Sequence, residues 1–176
     1  HIVKDFYGYK DDNIYFSTYS KNGLGVDLWL VSLKKKYKKK IMDDGNFHHF
    51  QLSPSKTFFI DQFSNLETPG ITRIINFKGN LVSELLISEN PLADYNIGET
   101  SLFQIKTEDR ISLNCRLIKP YNFDYTKQYP ALIYVYNGPG VQLLNNSWLG
   151  NAPLWMHYLS NLGYIIFSVD GSGSEN

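Results

Sequence analysis

The sequence predicts a mixed fold: incomplete, all-β propeller blades followed by the N-terminal part of an α/β domain. Three observations predict it. The first half repeats itself at a spacing of 44 residues, and turn residues divide each repeat into about four short strands. After Ser88 the composition changes, and two apolar segments without polar alternation follow, at Ala131–Tyr136 and 164–170. Between those two lies a stretch with helical periodicity, Pro153–Leu162.

The repeat comes first in the chain. With a shift of 44 and no gap, IYFSTYS (14–20) falls on FFIDQFS (58–64), and DLWLVSL (27–33) falls on ITRIINF (71–77). KKKYKKKIMDD (34–44) falls on KGNLVSELLIS (78–88), and Phe6 on Phe50. Few residues are identical, but the apolar class agrees through the central strands. Asn22-Gly23 and Gly25 supply turns in the first unit, and Pro69-Gly70 and Gly79-Asn80 in the second. A period of ~40–45 residues with four strands per unit is that of a propeller blade. The other arrangement with this pattern is a pair of adjacent meanders that close no ring. Propellers use ~4–8 blades, so two blades imply a longer protein. HIVKDFYGYK at the start and DGSGSEN at the end read as cuts through it.

Bulk composition narrows the function. Lys+Arg 17 balances Asp+Glu 17, which gives no argument for nucleic acid or an anionic membrane surface. The lysine run Lys34–Lys40 falls where KGN makes a hairpin turn, so it reads as a solvated turn between blade strands rather than a nucleic-acid patch. No apolar run approaches the roughly 20 residues of a membrane span. The single cysteine, Cys115, excludes an internal disulfide and a Cys-based zinc site. No cofactor or metal site is predicted. Aromatics at 15% favour β-structure.

The second half has its own order. ENPLADYNIGE (89–99) is rich in turn and polar residues and reads as a linker. The expected division is therefore 1–88 for two blades, 89–100 for the linker and 101–176 for the α/β part. TSLFQIKTEDRISLNCRLIKP gives two strands, about 101–106 and 111–118, across a Thr-Glu-Asp-Arg turn. YNFDYTKQYP is a loop. Ala131–Tyr136 follows as a strand whose two faces should both be covered. A helix with Gly163 as its cap leads to the strand 164–170. Strand, helix and buried strand imply parallel pairing with a right-handed crossover. An antiparallel hairpin leading into such a unit is how an α/β-hydrolase domain begins.

The residues that follow the hairpin carry a family resemblance. KPYNFDYTKQYP, YVYNGPG, a helix with HYLSNLGY, and SVDGSGS occur in that order. Together they resemble the prolyl oligopeptidase clan of serine peptidases, and most of all its dipeptidyl peptidase IV branch. The resemblance implies a β-propeller with a C-terminal α/β-hydrolase domain, peptide substrates, an extracytoplasmic or periplasmic setting and a homodimeric parent. It also implies a role for Tyr136, which matches the tyrosine that donates its hydroxyl to the oxyanion of the tetrahedral intermediate. The chemistry suits the residue: a phenol on a strand's C-terminal lip faces the crevice above the sheet and is a good donor. Gly138-Pro139-Gly140 would let the chain turn sharply beside it. The alternative for Tyr136 is a core aromatic whose hydroxyl finds a backbone partner.

The rest of a serine mechanism is missing from these residues. No G-x-S-x-G occurs, and Ser172 and Ser174 in GSGSEN lack its pattern. His1, His48, His49 and His157 all precede the place of a nucleophile and read as structural. The triad Ser, Asp and His, and the glutamates that hold a substrate amino terminus, match no residue of this chain. Ser172 stands where the family usually has Arg. Asn145-Asn146-Ser147 is an N-x-S sequon. The expected function is a fragment of a serine exopeptidase whose parent releases Xaa-Pro or Xaa-Ala dipeptides through an acyl-enzyme, the fragment itself being inactive. The competing readings are another peptidase of the clan, such as an acylaminoacyl peptidase or an oligopeptidase, and a non-catalytic homologue acting as a binding module.

Overall fold

A computed structural model of the protein describes residues 2–136, 138 and 140–173. Strands β1 (Val3–Lys10), β2 (Asn13–Tyr19), β3 (Val26–Ser32) and β4 (Tyr37–Met42) form one antiparallel meander. Strands β5 (Phe47–Leu52), β6 (Phe58–Ser64), β7 (Ile71–Asn76) and β8 (Leu81–Ile87) form a second with the same order. These are the two blades, and the segments 14–20 and 58–64 both lie in the second strand of their sheets. Asp11 and Asp12, at φ 49° and 61°, make the two-residue turn between β1 and β2. Such a turn needs positive φ at both positions, which Asp tolerates.

The blades bury their aromatic residues against each other. Tyr15, Val26, Leu28 and Leu30 of the first meet Phe50, Phe59 and Ile75 of the second. Tyr15 stacks on Phe77 at 4.6 Å, and Tyr7 stands edge-on to Phe59 at 5.7 Å. Offset and edge-on rings at such distances add to the area they bury. Gly79, at φ 85°, lets the β7–β8 hairpin approach the first blade, because a Cβ there would stand 2.5 Å from the carbonyl oxygen of Ile41.

Two details differ from the ungapped repeat. Tyr19 pairs with Val26, seven positions on, whereas Phe63 pairs with Ile71, eight positions on. The second blade therefore has one extra residue between its second and third strands, and Leu30 corresponds to Ile75 rather than Ile74. The pattern missed this because nearly every residue of β3 is buried, so a one-residue slip leaves its apolar class unchanged. The lysine run is also only partly a turn, since β4 begins at Tyr37. The ammonium groups of Lys38 and Lys40 lie 4.8 and 5.3 Å from the centre of the Trp29 ring, and Lys40 pairs with the buried Asp27 carboxylate at 2.7 Å.

The third sheet contains β9 (Thr100–Lys106), β10 (Ser112–Ile118), β11 (Ala131–Tyr134) and β12 (Ile165–Val169), in the order β11-β12-β10-β9. β9, β10 and β12 pair antiparallel, and β11 pairs parallel with β12. Parallel neighbours need a crossover, which α1 (Leu154–Asn161) supplies. Met156 and Leu159 of α1 pack on Ile118, Ile166 and Leu132. The helix ends as its glycine predicts. Gly163 adopts φ 95°, its N–H bonds Ser160 O, and the Tyr164 N–H bonds Leu159 O, which is a complete Schellman motif. Among the described residues no helix is long and apolar enough to cross a membrane.

β11 departs from expectation. It stops at Tyr134, two residues before Tyr136, and Ala131, Ile133 and Tyr134 are exposed. These exposures show that its apolar run is not covered on both faces, and among the described residues its edge away from β12 has no strand neighbour. Neighbouring residues of β6 test the blade packing. Phe59 is wholly buried and Phe58 is 41% exposed. In urea unfolding Phe59→Ala should cost about 3–5 kcal/mol, and Phe58→Ala about 0.5 kcal/mol. The reverse ranking would show that the face assignment of β6 is wrong.

Candidate active site

β11 and β12 run parallel, so their C-terminal ends open on the same edge of the sheet, and Tyr136 stands just beyond the first of them. The last ladder pair is Tyr134 with Ser168, so Tyr136 is free of the sheet's hydrogen bonding but is carried by its strand. Its side chain is 56% exposed, and among the described residues none hydrogen-bonds its phenol oxygen. The ring folds back over Gly138, where a Cβ would stand 2.8 Å from Cε1 and 3.3 Å from the hydroxyl oxygen. Only glycine leaves that room. Asn137 and Pro139 of the turn lie outside the described residues. Gly140, at φ 70°, donates its N–H to Gly173 O at 3.2 Å and so joins the loop after β11 to the loop after β12.

Asp170 holds the returning leg of the same loop. Its buried carboxylate accepts the N–H of Leu143 at Oδ1 (2.9 Å) and that of Leu144 at Oδ2 (3.1 Å). Its own N–H bonds Asn114 O. Burial pushes the Asp170 carboxyl above its usual range, against the pull of the two N–H groups and the Arg116 charge. Beyond Leu144 the chain becomes a strap across both blades. Gln142 Nε2 donates to Gly23 O (2.6 Å), the Asn146 N–H to Leu24 O (2.7 Å), and Asn146 Nδ2 to Gly45 O (2.9 Å). The Phe47 N–H donates to Asn146 O (3.1 Å), and the Trp148 N–H to Ser64 Oγ (3.2 Å). The sequon at Asn145 lies in this strap, and its side-chain Oδ1 is buried.

Arg116 had no expected role, yet its side chain is among the most buried in the chain. Its guanidinium donates to Gly150 O (2.7 Å), Ser168 Oγ (3.1 Å) and Met156 Sδ (3.2 Å). Burial pushes its pKa down to about 10, against the opposing pull of Asp170. The only sequence signal was an arginine inside the apolar strand SLNCRLI.

Comparison with known proteins shows what the chain is similar to. The family described as the dipeptidyl peptidase IV (DPP IV) N-terminal region matches residues 2–70. Dipeptidyl peptidase 8 of Homo sapiens is 27% identical over 172 residues, 92% of this chain and 19% of that protein. A Paracoccidioides lutzii protein named as a dipeptidyl-aminopeptidase B is 35% identical over 100 residues, 57% of this chain and 10% of that one. The crystal structure of a Bacteroides ovatus protein described as a dipeptidyl aminopeptidase IV superposes with a TM-score of 0.90 at 31% identity, over 99% of this chain and 25% of that one. The chain resembles the dipeptidyl peptidase IV branch of the prolyl oligopeptidase clan. Porphyromonas gingivalis dipeptidyl peptidase 4 shares the fold, with a TM-score of 0.86 at 24% identity over 98% of this chain and 25% of that one. The chain thus spans about a fifth of its human dipeptidyl peptidase relative and a quarter of the solved dipeptidyl peptidase structures.

The described histidines occupy separate places. His1 and Ser174 lie outside the described residues, and Ser172 is exposed in the turn after β12. His49 is exposed on β5. His157 is buried on α1 with neither ring nitrogen hydrogen-bonded among the described residues, and burial followed by the Arg116 charge lowers its pKa. His48 sits between two carboxylates, Nδ1 on Asp61 and Nε2 on Asp44, each at 2.7 Å, and Arg73 Nε binds the other Asp61 oxygen at 2.9 Å. Both nitrogens are thereby taken by hydrogen bonds, and no group of three or more His, Cys, Asp or Glu is arranged to hold a metal among the described residues.

Burial works against the charged imidazole of His48, but the bonds to Asp44 and Asp61 outweigh it and raise its pKa above the ordinary 6.5. Burial likewise works to raise the Asp44 carboxyl, and the bond to His48 outweighs it and lowers that pKa below 3.8. The signs set a pH window. The His48 contribution is full below its unfolded pKa and is lost as pH rises through the raised folded value. The Asp44 contribution is present above its unfolded pKa and is lost as pH falls through the lowered one. Thermal melts of the wild type should therefore lose stability as pH rises past neutrality, relative to His48→Gln. Parallel melting curves for the two proteins across that range would refute the charged His48.

Proposed function

We propose that the parent of this chain is a serine exopeptidase that releases Xaa-Pro and Xaa-Ala dipeptides from peptide amino termini by acyl-enzyme hydrolysis. Tyr136 is its oxyanion donor. In the same reading, residues 1–88 are the last two propeller blades, 89–100 the linker, and 101–176 the start of the catalytic domain. The tight seating of Gly98, where a Cβ would stand 1.7 Å from Lys119 O, supports a linker that ends hard against the third sheet.

The observation that carries the proposal is the placement of Tyr136 at the C-terminal edge of the parallel pair. Its ring rests over Gly138 and its side chain is more than half exposed. Attack on a peptide carbonyl turns its oxygen into an oxyanion while the acyl-enzyme bond forms. A donor already in place stabilises that charge without reorganising at the moment of reaction. A phenol can do this while staying neutral and holding its proton. The second oxygen of the chemistry, the nucleophile, and its base and orienting carboxylate are supplied by none of these 176 residues. The chain alone is therefore inactive.

Tyr136→Phe in the full-length protein removes one hydroxyl and keeps the ring on Gly138. On a Pro-containing dipeptide anilide, kcat should fall by about 10²–10³. KM should change little, because the donor acts on charge absent from the ground state. Thermal stability should hold. Wild-type kcat in the Phe variant would overturn the oxyanion role and leave Tyr136 a packing residue.

A further inference from the structure

Tyr136 stands beyond the last ladder pair of β11, so the sheet does not fix it directly. Its ring rests on the backbone at Gly138, and Gly138 O accepts the Val141 N–H at 3.3 Å. The next fixed points along the loop are the Gly140 N–H on Gly173 O, the Gln142 amide on Gly23 O, and the N–H groups of Leu143 and Leu144, which both end on Asp170. Asp170 is in turn fixed through its own N–H to Asn114 O, one step past the Cys115–Val169 ladder pair. We propose that Asp170 is a positioning residue for Tyr136: its carboxylate pins the return leg of the loop on which the phenol ring rests. This proposal rests on the oxyanion reading of Tyr136.

The chemistry of the pin is specific. The two oxygens of one carboxylate each take one backbone N–H, and a charged acceptor makes these bonds shorter and stronger than a neutral one would. Asparagine offers one oxygen and sets an NH₂ group against the second N–H. Alanine offers neither and leaves two donors unpaired around a residue that is 1% exposed. The same leg carries Gln142 and Asn146, which bond the two blades. Slack at Asp170 therefore reaches Tyr136 on one side and the blade contacts on the other. A merely structural Asp170 would affect the protein through the blades alone, with or without the phenol.

A double-substitution cycle in the full-length protein separates these. The variants are Tyr136→Phe, Asp170→Asn, Asp170→Ala and the two combinations. Rates are referred to sites titrated with an irreversible phosphonylating reagent for serine hydrolases, so unfolded protein does not enter kcat. The second Asp170 variant keeps the test open where the first does not fold. With Tyr136 present, loss of the carboxylate should lower kcat about 10- to 100-fold, the scale of a small misplacement of a reacting group, with KM little changed. In the Tyr136→Phe background the same change should lower kcat less than about twofold, because the hydroxyl it positions is already gone. Equal losses in both backgrounds, or wild-type kcat in the single Asp170 variants, would overturn the positioning role and leave the oxyanion role standing. Wild-type kcat in Tyr136→Phe would overturn both.

Discussion

A chain that runs between sheets must find partners for backbone groups that no ladder of its own supplies. From Gln142 to Trp148 the chain does this by bonding three units at once. Its N–H groups and amides reach Gly23 and Leu24 in the first blade and Gly45 and Ser64 in the second, while Asp170 at the end of β12 holds Leu143 and Leu144. Asn114 adds a parallel tie from β10 to Asn22 O at 2.9 Å. The placement of the blades against the third sheet is thus set by directional backbone chemistry as much as by apolar contact. The loop that carries Tyr136 is the near end of the same strap.

Charges in the interior are handled in two ways. In the second blade Asp44, His48, Asp61 and Arg73 alternate in sign, so each charge has an opposite neighbour. In the third sheet Arg116 has no carboxylate in contact among the described residues and relies on a carbonyl, a hydroxyl and a thioether. The carbonyl is provided at a cost. Leu149, Gly150 and Asn151 run at φ 56°, 65° and 61°, and the left-handed region costs a non-glycine residue roughly 1–2 kcal/mol. That strain turns the Gly150 carbonyl toward the guanidinium. The planar fork then joins β10 to β12, to α1 and to this turn through donors held in one fixed geometry, which a lysine ammonium does not offer.

The blades were legible because each buries one face, and a period of two shows that face wherever polar residues alternate. β6 alternates in burial from Phe58 to Asp61, and Tyr15 of β2 and Phe59 of β6 fall at matching buried positions. β3 does not alternate, so its register against β7 could be read only from pairing. The helix was legible to within a residue through Gly163. The end of β11 was not, because apolar residues continue past the last hydrogen bond and propensity does not record where a neighbour stops. Tyr136 was singled out through the motif around it. Asp170 and Arg116 were missed as site-building residues because their partners, Leu143, Leu144, Gly150 and Met156, lie far along the chain. A polar residue in an apolar strand marks that something is being satisfied without saying what.

In the proposed oxyanion role, the position of Tyr136 reconciles two requirements that conflict inside a sheet. A donor for a transient charge needs a ring that does not move and a hydroxyl with no resident partner. A tyrosine in the core has the first and lacks the second, because a buried hydroxyl settles on a nearby acceptor. A tyrosine on a free loop has the second and lacks the first. Two residues past the end of a paired strand, the ring is still carried by β11 and rests on a glycine that leaves room for it. Its oxygen lies outside the ladder. Fixing it therefore falls to the backbone below, and that backbone is held by the carboxylate at the end of the neighbouring strand. In that role the rigidity of the site rests on Gly138, the Gly140–Gly173 bond and Asp170, which makes the spacing between the two strand ends the quantity on which a donor at this edge depends.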